Sequence, residues 1–189
     1  MTSENVSARE RILATAHDLF YREGIRATGI DRIIKEAGVT KVTFYRHFPA
    51  KNDLILAFLQ YRHERWISWF RQSLAAQRQQ GGSLAAGLSA TLELWFADEH
   101  YRGCAFINTT VELAQALPES LALIRAHKEE MTQALAAHLP DTPQGRQLAQ
   151  RVALLVDGAI VMAQREGNGN AAVALLREWL ALEPLLQAG

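Results

Sequence analysis

In the stretch from Lys41 to His47 the chain sets out Lys41, Thr43, Tyr45, Arg46 and His47, a group whose chemistry suits a nucleic acid. Lys and Arg neutralise phosphates, Arg can hold a guanine edge with two parallel donors, and Thr and Tyr hydroxyls fix register on the sugar-phosphate backbone. Phe44 and Phe48 stand four apart in the same stretch, so on a helix they form an inward face and leave the polar set outside. Thr40 is placed to cap that helix and Pro49 cannot extend it, which predicts about eight residues, a length that lies across a groove. Lys51 opens the next helix, whose positive dipole end also suits a phosphate.

The preceding residues must position that helix. Ile30, Ile33, Ile34 and Ala37 recur at helical spacing, with Thr28 placed as N-cap and Asp31 three residues on. Gly38 can take the left-handed conformation that ends such a helix and turns the chain sharply, with Val39 at the corner. Ahead of it, Ile12, Leu13, Ala16, Leu19 and Phe20 define a first helix that Gly24 closes. Two short helices hinged at a glycine, with contact residues on the second, have the layout of a helix-turn-helix.

From about Ser7 to Lys51 the chain resembles the DNA-binding domain of the tetracycline-repressor (TetR) family of bacterial regulators. The resemblance is carried by Gly24, Thr28, Ala37-Gly38-Val39-Thr40, Tyr45-Arg46-His47-Phe48 and Lys51. It implies DNA contacts from Thr28, Thr40, Lys41, Val42, Thr43, Tyr45, Arg46, His47 and Lys51. Val42 departs from the family pattern, in which a glycine or another small residue is common; a branched side chain there meets a thymine methyl or simply packs.

The formal net charge is zero, but it is unevenly spread. Up to Arg78 there are 13 Lys and Arg against 8 Asp and Glu, and beyond it 7 against 12, a basic head on an acidic body that phosphates would orient. No apolar run is long enough to span a membrane, and the single cysteine cannot make an internal disulfide; the expectation is a cytoplasmic protein. A catalytic reading lacks a nucleophile elbow, a phosphate-cradling glycine loop or a nucleotide fingerprint, so neither enzyme activity nor a cofactor is expected. His100 and Cys104 are four apart, but two ligands are too few for a metal.

Everywhere else apolar residues recur at three and four, so the fold class is all-α. The expected domains are a DNA-binding head, 1–52, and a helical body, 53–189, for effector binding and dimerisation. Further helices are predicted over about 50–79, 84–98, 103–117, 118–138, 144–166 and 170–186, with a break at Gly81-Gly82-Ser83. Leu148, Val152, Leu155, Ala159 and Met162 make a heptad seam, and Leu176, Trp179 and Leu180 follow on the last helix. The resemblance implies that these two helices pair with a second copy; the alternative is a seam buried within one chain. A homodimer would read a palindromic operator in double-stranded DNA.

Trp66, Trp69, Phe70, Trp95, Phe96, Tyr101 and Phe106 lie on the segments that surround the regulatory cavity of the resembled family. A small hydrophobic or aromatic effector is expected there, anchored by Asn108, Thr109, Glu112 or His100. Cys104 lies near a helix start beside Arg102, where its thiol would be activated, and family members with a similar Arg-Gly-Cys stretch include electrophile and oxidant sensors. The plainer reading is a small buried hydrophobe. A repressor released by its effector is the expected function, with an activator or a redox-sensing repressor as alternatives. The remaining histidines read as solvated or capping.

Overall fold

The computed structural model describes residues 6–79 and 82–187, so Gly81 of the expected break lies outside the described residues, while Gly82 and Ser83 are non-helical ahead of the helix that Ser83 caps. Among those described, the regular structure is helical: α1 (Ala8–Glu23), α2 (Ile30–Glu36), α3 (Lys41–His47), α4 (Lys51–Gln79), α5 (Leu84–Phe96), α6 (Ala105–Leu113), α7 (Ser120–Ala136), α8 (Pro143–Glu166), α9 (Asn170–Ala181) and α10 (Pro184–Gln187). The last expected helix is split in two. Pro184 lacks the N–H that would continue α9 and disfavours helical backbone at Glu183, so the chain stops at Ala181 and restarts.

Two compact units divide the chain, Met1–His63 with Ala105–Ile124, and Glu64–Cys104 with Arg125–Gly189. The division differs from the expected one at residue 52, because the first unit takes in the start of α4 and also α6.

In the first unit, α1 opens with a reciprocal cap: the Ser7 hydroxyl accepts from Glu10 N–H at 3.2 Å, and the Glu10 carboxylate accepts from Ser7 N–H at 2.8 Å. Ile12, Ala16, Leu19 and Phe20 are buried at helical spacing on α1, which packs against α2 and α3, where Ile33 and Phe44 are also fully buried. Phe20 and Phe58 pack edge to face, 5.5 Å between centroids. Arg11 Nε donates to the Ala37 carbonyl at 3.3 Å, so α1 satisfies the end of α2. Arg32 of α2 pairs with both Glu23 and Glu36. Gly38, at φ 61°, supplies the left-handed turn into α3.

The expected cap at Thr28 is corrected. Gly29 takes the N-cap position of α2 without a side-chain bond, while the Thr28 hydroxyl is buried and donates to the Gly24 carbonyl at 2.8 Å. The hydroxyl closes the preceding turn instead of opening the following helix.

In the second unit, the Thr142 hydroxyl caps α8, accepting from Gly145 N–H at 3.1 Å, with Pro143 in the first turn. The buried stripe of α8 runs through Leu148, Val152, Val156, Ala159 and Ile160, and that of α9 through Val173, Leu176 and Leu180. The turn between them brings Gly169 so close to Phe96 that a Cβ there would lie 2.6 Å from the ring side chain.

Candidate nucleic-acid interface

The Thr40 hydroxyl accepts from Thr43 N–H at 3.1 Å, so α3 starts where the sequence places it, and Phe44 and Phe48 are buried as its inward face. Lys41, Val42, Tyr45 and Arg46 are exposed and Thr43 and His47 half-buried. Lys41 Nζ lies 3.6 Å from Asp31, an exposed pair that water and salt weaken. Tyr45 keeps its ring against Phe44, 5.3 Å between centroids, with the residue still 40% exposed. Arg46 pairs with no described residue. The outward face of α3 thus offers a cation, a phenol and a guanidinium that the fold has not consumed.

Two of the expected contacts are placed otherwise. Thr28 is 0% exposed and its hydroxyl is committed to Gly24, so that side chain cannot touch a duplex. Lys51 turns inward: its ammonium donates to the Ile25 carbonyl at 2.6 Å and lies 5.8 Å from the centre of the Phe20 ring. Burial lowers its pKa, against the pull of Glu112.

Glu112, expected as a ligand contact, is committed to backbone of this unit. Its Oε2 accepts from the backbone N–H groups of Ile25 and Arg26, both at 3.0 Å, so α6 holds the α1–α2 turn from one side while Lys51 holds it from the other. An adjacent pair of N–H groups meeting one carboxylate is a strong, charge-assisted arrangement. Thr109, expected as a ligand anchor, is likewise corrected: its hydroxyl is buried and donates to the Ala105 carbonyl at 2.7 Å. Phe106 is buried in the same unit and Asn108 half-buried.

In the second unit, Trp66, Phe70, Trp95 and Phe96 do come together. Trp66 stacks on Phe70 at 4.8 Å and meets Trp95 at 5.2 Å. His127 completes the set, 5.1 Å from Trp66 and 1% exposed, which corrects its reading as solvated. Its neighbours Ile124 and Met131 are buried at helical spacing, the signal that would have placed it inside. Among the described residues, Trp66 Nε1 is buried with no hydrogen-bond partner. A cavity of about 590 Å³ in this unit is lined by Phe96, Tyr101, Glu93, Arg102, Gln164 and Asn170 among others, more polar than the expected aromatic pocket. Cys104 is buried at 3% exposure, as a packed hydrophobe is, and His100 is exposed.

Most of the expected dimer contacts are corrected. Leu148, Val152, Ala159, Leu176 and Leu180 are buried within the single chain and have no face left for a partner. Leu155, Met162 and Trp179 are half-exposed. Around them lies a second stripe that the heptad reading passed over: Leu154, Gly158 and Val161 on α8, with Leu175 on α9 and Leu182 at its C-cap, all exposed.

Residues 12–58 match the family model described as bacterial regulatory proteins, tetR family. The chain is 30% identical over 127 residues to the HTH-type transcriptional activator FasR of Mycolicibacterium smegmatis, covering 67% of this chain and 56% of that one. It is 38% identical over 72 residues to an HTH-type transcriptional regulator of Staphylococcus aureus, covering 38% and 39%. The matches thus span little more than half the length of the first relative and less of the second. Among solved structures, a TetR-family transcriptional regulator from Streptomyces coelicolor is similar at a TM-score of 0.75 with 29% identity over 90% of each chain. The reduced form of NemR from Escherichia coli, at 20% identity over 91% and 96% and a TM-score of 0.74, is similar in fold.

Proposed function

This chain belongs to the TetR family of bacterial regulatory proteins and is a transcriptional regulator, and on that premise we propose that it is a homodimeric repressor that reads a palindromic operator through α3 and releases it when a small hydrophobic or aromatic effector binds. The observation that carries the reading is the outward face of α3, where Lys41, Tyr45 and Arg46 remain exposed opposite a fully buried Phe44. Lys41 and Tyr45 serve backbone positioning, with Thr43 and His47 at the flanks and Thr40 through its helix-start N–H; Arg46 has the reach and geometry for a base edge. The site of action is the cytoplasm, where its DNA lies.

Dimerisation is supported by the exposed stripe on α8 and α9. Gly158 lies inside α8 with nothing within 4 Å of where its Cβ would be. A mid-helix glycine costs about 0.5–1 kcal/mol against alanine, and no close contact among the described residues offsets it. Close approach of a partner's helix would. Two α3 helices in such a dimer would meet half-sites about 34–36 Å apart, or a multiple of that.

For the effector, support comes from the Trp66, Phe70, Trp95 and His127 cluster, where an unpaired Trp66 N–H favours an aromatic molecule carrying a hydrogen-bond acceptor. Release requires that the effector favour the low-affinity state differentially. Cys104, being buried, favours packing over redox sensing.

Protection mapping on DNA flanking the chain's own gene, with and without candidate aromatic acceptors, tests the proposal. A symmetric footprint that fades with effector is expected, and absence of any sequence-specific protection would overturn it. An activator is the second reading, favoured by the similarity to the transcriptional activator FasR of Mycolicibacterium smegmatis. Reporter expression in a deletion strain separates the two: it rises if the chain represses and falls if it activates.

A further inference from the structure

Val42 is an anomaly on α3. It is 78% exposed, while Phe44, two residues on, is 0% exposed. Two residues of α-helix rotate the direction by about 200°, so Val42 projects opposite the buried face. Tyr45 and Arg46 follow at three and four residues, which puts them on the same side, where they are also exposed. The reading face thus carries one wholly apolar tip between a phenol and a guanidinium. A β-branched residue is a weaker helix former than alanine, and exposing its methyls to water adds nothing to folding, so Val42 contributes to the isolated chain neither packing nor propensity.

The sequence left two roles open for this side chain, packing or contact with DNA, and its exposure removes the first. On the major-groove edges of the base pairs, the one alkyl group is the C5-methyl of thymine, beside hydrogen-bond donors, acceptors and the small C5–H of cytosine. We propose that Val42 determines operator specificity by packing on the C5-methyl group of a pyrimidine, one in each half-site. The proposal rests on the reading of α3 as the DNA-contacting helix and adds the chemistry that it selects. Thymine and 5-methylcytosine present the same methyl group, so the recognised chemistry is the methyl and not the base pair as such.

The test uses the full chain and duplexes selected by it from a randomised pool, with binding followed by fluorescence anisotropy at one fixed salt concentration. Replacing the thymines of a half-site one at a time by deoxyuridine removes only the methyl. At one position the substitution weakens binding by about fourfold per half-site, the equivalent of one apolar carbon returned to water. Val42→Ala keeps the helix, shown by circular dichroism, and binds the thymine and deoxyuridine duplexes alike. Placing 5-methyldeoxycytidine or deoxycytidine at that position separates the methyl from the rest of the base: preference for the methylated base is expected, and no preference overturns recognition through the methyl. Indifference of the wild-type chain to deoxyuridine at every position, or an undiminished penalty in Val42→Ala, overturns the proposal and leaves the DNA-reading function standing. A pool that yields no selected duplex removes both.

Discussion

Both α3 and α8 bury one stripe in their own unit, yet they leave opposite things outside. α3 hides Phe44 and presents Lys41, Tyr45 and Arg46; α8 hides Leu148, Val152 and Val156 and presents Leu154 and Val161. The buried stripe of each helix says only that it belongs to a fold. The outward stripe says what the helix meets: charge and hydroxyls suit a polyanion, and exposed branched aliphatics suit another protein surface. The regulator that we propose needs both, since a single short helix reads too few base pairs to select an operator.

The largest effect should come from spoiling the apolar side of that contrast. Leu154→Glu with Val161→Glu alters residues 74% and 47% exposed, so the fold survives. Light scattering should report a monomer, and operator affinity should fall by on the order of 100-fold as the second head ceases to be tethered. A dimer that persists would break the comparison. On the polar side, Arg46→Ala should cost about 1–3 kcal/mol of operator affinity and relax specificity at one base pair, while Lys41→Ala should weaken all sequences alike and lower the salt slope by roughly one. Equal footprints across the two variants would erase the distinction between base and phosphate contacts.

Glu112→Ala probes what holds the polar side in place. It strands the N–H groups of Ile25 and Arg26, and urea unfolding should show a loss of about 1–3 kcal/mol, with a smaller loss for Glu112→Gln, whose amide oxygen still accepts. The smallest effect lies in the second unit. Burial, then the Arg78 guanidinium, holds the His138 pKa below its ordinary 6.5. The unfolded chain therefore takes up a proton first as pH falls, so the stability contribution of His138 is complete above pH 6.5 and is lost as pH drops through the lowered folded value. His138→Gln should flatten thermal stability over that acidic range.

Helices and their inward faces were readable because spacing is a local property; Ile12, Phe20, Phe44 and Phe48 are buried as their positions imply. What depended on distant partners was not. Thr28 carries a cap's chemistry one residue ahead of the true N-cap, and its choice of the Gly24 carbonyl follows from the turn rather than from the helix. The partner of Glu112 lies 87 residues away at Ile25, and nothing in the neighbourhood of either residue announces the other. In α8 the heptad spacing was real, but spacing cannot tell which body covers a stripe. Leu148 and Val152 were taken by their own unit, and the adjacent row of Leu154 and Val161 is the one left exposed.

All four tryptophans, Trp66, Trp69, Trp95 and Trp179, fall in the second unit, whereas the aromatic residues of the first are phenylalanines and tyrosines. Emission excited selectively at the indole band therefore watches one unit and is blind to the other. An unlabelled sample excited at the indole band reports whatever enters or disturbs the Trp66 cluster, and a dye attached near α3 would supply the second, independent channel.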